Sequence, residues 1–80
     1  MALASTPLGR GPRKRSLTIA GHRTSISLED SFWLALKEVA RGQGRSVPEI
    51  VAEIDSRRGR TGLSSAVRAF VLEAYRGRGP

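Results

Sequence analysis

The chain has 80 residues, fourteen Lys+Arg against seven Asp+Glu for a formal net charge of +7, no cysteine and a single histidine. A chain of this length forms one small domain; without thiols it has no disulfides and a poor ligand set for zinc, so a second copy is the expected source of a sufficient core. The charge favours a polyanionic partner, nucleic acid first, and no apolar run approaches the ~18 residues that would span a bilayer.

Residues 1–15 hold Pro7, Pro12, Gly9, Gly11, Arg10, Arg13, Lys14 and Arg15 with little to bury, and are expected to form a disordered basic arm. The opening MALASTPLGRGPRKRS lacks the apolar stretch of a signal peptide, which makes a cytoplasmic setting the default expectation. The domain proper is expected over 16–76, followed by a short disordered tail, 77–80.

Two alternating segments come next. Leu17 and Ile19 alternate with Ser16 and Thr18, and Ile26 and Leu28 with Ser25 and Ser27, the period of two that marks strands. Ala20-Gly21-His22-Arg23 between them fits either a hairpin turn or a kink in one extended segment. A first helix is predicted over roughly 29–42, with Glu29 and Asp30 at its positive end and Phe32, Leu36, Val39 and Ala40 on its apolar stripe. Gly42 and Gly44 end it. Ser46-Val47-Pro48-Glu49 reads as a capping box opening a second helix with Val47, Ile50, Val51 and Ile54 inward, fading at Arg57-Arg58-Gly59. Ser64 is expected to cap a third helix, to about Arg76, with Leu63, Ala66, Val67, Phe70, Val71 and Ala74 apolar.

A short strand before two helices, in a basic chain this small, is best completed by the same strand of a second copy, antiparallel across a two-fold axis. Ile26 and Leu28 would then face the helices, and Arg23, Ser25 and Ser27 the opposite side. A two-stranded ribbon fits the DNA major groove. The same three residues also suit the wetted side of a half-buried strand.

The run R-T-S-I-S-L-E, the helix around Phe32-Trp33, and Gly44-Arg45-Ser46 opening a second helix resemble the ribbon-helix-helix superfamily. K-R-S-L-T-I-A-G-H-R-T-S-I-S-L-E, V-A-E-I-D and L-S-S-A-V-R narrow the resemblance to a small bacterial subfamily described as candidate DNA-binding proteins, over about residues 14–76. The resemblance implies a mainly α fold with a short β-ribbon and an additional C-terminal helix, as an intertwined homodimer acting as a transcriptional repressor on double-stranded DNA. It puts Arg23, Ser25 and Ser27 on the ribbon's outward positions and Arg45, Ser46 and Val47 at a phosphate anchor, where helix N-terminal N–H groups attract anions. Arg13, Lys14, Arg15 and His22 are further candidates for backbone contacts.

No base and nucleophile stand at recognisable spacing, and Arg41 to Ser46 lacks the spacing of a phosphate loop. The chain is therefore read as a non-enzyme without cofactor or metal. Its competing functions are a protein-interaction module, such as an antitoxin or adaptor using the helix at 64–76, and sequence-neutral nucleic-acid packaging.

Overall fold

The structure, a computed structural model, describes residues 11–78. Strands β1 (Arg13–Ile19) and β2 (His22–Leu28) are followed by helices α1 (Asp30–Gln43), α2 (Val47–Arg57) and α3 (Leu63–Arg78). The strands pair with each other, antiparallel, from Arg13 opposite Leu28 to Ile19 opposite His22. Ala20 and Gly21 turn the chain with φ of 49° and 80°, the two consecutive positive values of a type I′ turn, whose twist suits a two-residue hairpin.

This hairpin corrects the expected pairing. The partner of β2 is β1 of the same chain, because the tight turn brings the two alternating segments together at a far lower entropic cost than recruiting a second copy. It also corrects the boundary of the arm. Arg13, Lys14 and Arg15 lie in β1, since the alternation that begins at Leu17 extends back through Arg15, whose side chain is held on the helix side. The rest of the expected arm, 1–10, lies outside the described residues.

α1 begins after Glu29, with Asp30 in its first turn, and ends at Gly44 (φ 66°), where the Arg45 N–H reaches the Ala40 carbonyl, the pattern of a Schellman stop. α2 carries the predicted capping box: the Glu49 N–H donates to Ser46 Oγ (3.2 Å) while the Ser46 N–H donates to Glu49 Oε1 (2.7 Å). α3 starts one residue before Ser64 and runs through Arg78, past the predicted end at Arg76 and into the expected tail. Ser64 is therefore inside the helix, and its hydroxyl is bonded elsewhere, as described below.

One face of the hairpin and one stripe of each helix close a single core. Ile26, Leu28, Leu36, Ile50, Val51 and Val67 are its largest fully buried side chains. Val67 and Val71 of α3 sit in the same cluster as the α1 and α2 residues. β1 and α3 thus both contribute side chains to the core of this one chain.

Candidate nucleic-acid interface

Alternation sorts the hairpin into two faces. Arg15, Leu17, Ile19, Thr24, Ile26 and Leu28 are buried or half-buried on the helices, whereas Lys14, Ser16, Thr18, Arg23, Ser25 and Ser27 are all exposed. The register sets Lys14 beside Ser27, Ser16 beside Ser25 and Thr18 beside Arg23. Four hydroxyls and two cations therefore share one surface. Arg23, Ser25 and Ser27 lie there together, as alternation implies. Ser16 and Thr18 were missed, and Lys14, a candidate for backbone contact in the expected arm, lies on this strand face instead. The signal was present in an unbroken alternation from Arg13 to Ile19 and in a Gly at the second turn position.

The free edge of β2 is occupied at Ser27. The Ser27 N–H donates to Ser64 Oγ (2.8 Å), and Arg68 donates from Nη2 to the Ser27 carbonyl (2.9 Å) and from Nε to Glu29 Oε1 (3.0 Å). Both backbone groups of Ser27 point away from β1, so α3 stands where another strand would pair. Nothing local in the sequence marks this contact, which spans 37 and 41 residues.

Charge is distributed unevenly over the fold. All seven acidic residues lie at Glu29 or beyond. They hold most helical arginines: Glu29 pairs with Arg68, Glu53 with Arg45 and Arg57, Asp55 with Arg58, and Glu73 with Arg76. Glu29 titrates below its ordinary value, through its own backbone N–H first and Arg68 second. Glu53 is lowered by its hydrogen bond from Arg45, then by that residue's charge, then by Arg57. Among the described residues, Lys14 and Arg23 enter none of these ion pairs.

The remaining candidates fall in three places. At α2, Arg45 is bonded to Glu53 (2.6 Å). The capping box uses the N–H groups of Ser46 and Glu49, and Pro48 has none, which leaves Val47 as the first-turn donor for an anion. Glu49, held low by the Ser46 backbone N–H and then its hydroxyl, puts a carboxylate at the same spot. At the strand start, Arg15 is turned inward: it bonds Asp30 Oδ1 (2.5 Å), lies 5.1 Å from the Trp33 ring centre and is only 17% exposed. Arg15 thus faces the helices, away from the exposed face that holds Lys14. Arg13 also leans to Asp30 (3.6 Å) but stays 56% exposed. His22 is exposed beside the turn, on the rim of a hollow shared with Arg23, Arg58 and Leu63.

No group of three metal-ligating side chains occurs among the described residues, and none of their helices is long and apolar enough to cross a membrane. Comparison with curated proteins and with solved structures found no significant match. The sequence pattern of the ribbon-helix-helix domain, whose members are generally DNA-binding and non-enzymatic, matches residues 12–75, from the hairpin to the last turns of α3. The chain belongs to the ribbon-helix-helix domain family.

Proposed function

We propose that this protein is a sequence-specific DNA-binding regulator, a transcriptional repressor, that inserts its ribbon in the major groove. The observation that carries the reading is the ribbon's outward face, with four hydroxyls, no acid, and Lys14 and Arg23 outside the ion pairs found among the described residues. Arginine and lysine match guanine's acceptors, and serine or threonine bonds to several bases. Arg23, Ser25 and Ser27 read bases; His22 and Arg13 contact the backbone. A phosphate at Arg45, Ser46 and Val47 takes the Val47 N–H, with Arg45 leaving Glu53 and the Glu49 carboxylate moving aside. Ribbon-helix-helix domains generally bind DNA as dimers, and two copies on repeated half-sites of a cytoplasmic operator complete the proposal.

Selection from a randomised duplex pool tests it, with wild type beside the triple variant Arg23→Ala, Ser25→Ala, Ser27→Ala. A motif with repeated half-sites, lost in the variant, is the expected result. An unchanged motif in the variant refutes base reading by the ribbon. A second reading, a protein-interaction module, draws on one observation: Leu72 and Tyr75 of α3 are exposed beside Phe32 and Ala35. It predicts that Leu72→Ser loses a protein partner while DNA binding persists. Its original support is weaker, because Val67 and Val71 turn the main apolar stripe of α3 into the chain's own core.

A further inference from the structure

Resting on the DNA-reading proposal, we infer that a further DNA phosphate is held in the hollow beside the hairpin turn, by Arg58 at the end of α2 and His22 at the start of β2. The hollow has a volume of about 360 Å³, and Ile19, Ala52 and Leu63 make its apolar lining. Arg23, Thr24 and Ser25 line both this hollow and the shallower one on the ribbon's outward face. The site therefore begins where the base-reading face ends. A ribbon seated in the major groove has a phosphate backbone along each wall, so side chains at its flank meet phosphates rather than base edges.

Arg58 can take a phosphate without any ion pair opening. Its Nε donates to Asp55 Oδ1 (2.6 Å) and its Nη1 to the Thr61 carbonyl (2.7 Å). A guanidinium carries five N–H donors in a rigid fork, so both hydrogens of Nη2 and one of Nη1 remain for an anion. Gripped from two sides, the group is already oriented, and little side-chain freedom is lost when a phosphate arrives. The start of α2 offers less, since a phosphate there must draw Arg45 from Glu53 and move the Glu49 carboxylate aside. Asp55 also lines the hollow, but Arg58 balances its charge. The pair is thus a neutral donor site that gives charge-assisted hydrogen bonds and little counterion release. His22, exposed at the turn, lines the same hollow and carries a further ring N–H donor.

The test measures affinity of the full chain for the selected motif and for a random duplex, across salt. The variants are Arg58→Gln, His22→Ala, Asp55→Asn and the double variant Arg58→Gln, Asp55→Asn. Phosphate contacts position a protein without reading sequence, so Arg58→Gln should weaken both duplexes alike, by about tenfold, and still select the same motif. His22→Ala should weaken both by a smaller factor. Asp55→Asn keeps an oxygen for Arg58 Nε but removes the balancing charge. It should tighten binding and steepen the slope of log affinity against log salt by ~0.9 per chain, a gain that a damaged fold would not produce. That gain should vanish in the double variant. Arg58→Gln or His22→Ala binding as wild type, or an equal Asp55→Asn gain without Arg58, would overturn the inference and leave base reading intact. If Arg58→Gln unfolds, the presence or absence of the Asp55→Asn gain decides. A wild type that selects no motif would overturn base reading alone, because the losses on random duplex still report the phosphate contact.

Discussion

Truncating Val67 tests whether α3 is part of the domain or a surface kept for a partner. Val67 is fully buried and Leu72, five residues later on the same helix, is 53% exposed. Val67→Ala removes two methyl groups, at ~0.8 kcal/mol each in transfer. A cavity of some 40 Å³ that the neighbours only partly close adds about 1 kcal/mol. The expected loss is thus ~2.5 kcal/mol. In a domain this small 1 kcal/mol moves the melting temperature by ~4–8 °C, so a drop of ~10–20 °C is expected. Leu72→Ala leaves a side chain that was already half in water, and should cost about 1 kcal/mol or less. Thermal unfolding followed by helical circular dichroism measures both. A Val67→Ala variant melting within ~4 °C of wild type, or a Leu72→Ala variant falling as far as Val67→Ala, would refute the placement of α3 in the core.

Three further outcomes follow from particular contacts. Ser46→Ala removes the hydroxyl that accepts from the Glu49 N–H and should cost about 1 kcal/mol in urea unfolding, with equal losses in α2 and the whole domain if unfolding is two-state. Ala20 holds φ at 49°, a left-handed conformation that asparagine tolerates better; Ala20→Asn should raise the melting temperature, and a fall would contradict the type I′ geometry. Glu29, Glu49 and Glu53 all titrate below the ordinary value of 4.5 in the folded chain. The unfolded chain therefore takes up their protons first, so their contribution is present above the ordinary value and lost as pH falls through the lowered folded values. Stability measured from pH 6 to pH 3 should decline on this limb, and Glu53→Gln should flatten it.

The helices were legible because their signals are local. The stripe Ile50, Val51, Ile54 recurs at helical spacing, and the Ser46 to Glu49 box closes within one turn. The faces of the strands were equally legible, since alternation alone turns Arg23, Ser25 and Ser27 to one side. The pairing of the strands was not. A hairpin within one chain and a ribbon between two use the same alternation, and Ala20 stands where asparagine or aspartate would have announced the turn. The occupation of the β2 edge was beyond reach for a different reason. Ser64 looks like a helix cap in sequence, and only the packing of α3 brings its hydroxyl to the Ser27 N–H. Arg15 likewise reads as one more solvated charge until the fold lays it against Trp33 and Asp30.

The sorting of charge has a consequence for how binding responds to salt. Arginines already paired on the helices must leave a carboxylate before they can neutralise a phosphate, so they add little to counterion release. Among the described residues, Lys14, Arg23, Lys37, Arg41 and Arg60 make no ion pair with an acid, and only Lys14 and Arg23 lie on the ribbon. Each neutralised phosphate lowers log affinity by ~0.9 per log unit of salt. If all five of those residues reached phosphates, the slope per bound chain would be about −4.5. The ribbon's two cations face bases rather than the backbone, so Lys37, Arg41 and Arg60 with the proposed contacts of Arg13 and Arg45 set the expectation, a slope again near −4.5 from the described residues. Titration of a labelled duplex from ~50 to ~200 mM salt gives the value. Lys14→Ala should then reduce affinity for the selected motif more than it reduces the slope, the reverse of Arg60→Ala. A slope steeper than about −8 per chain would mean that ion pairs well beyond Arg45–Glu53 open on DNA, and the account of a basic ribbon mounted on a charge-balanced body would be wrong.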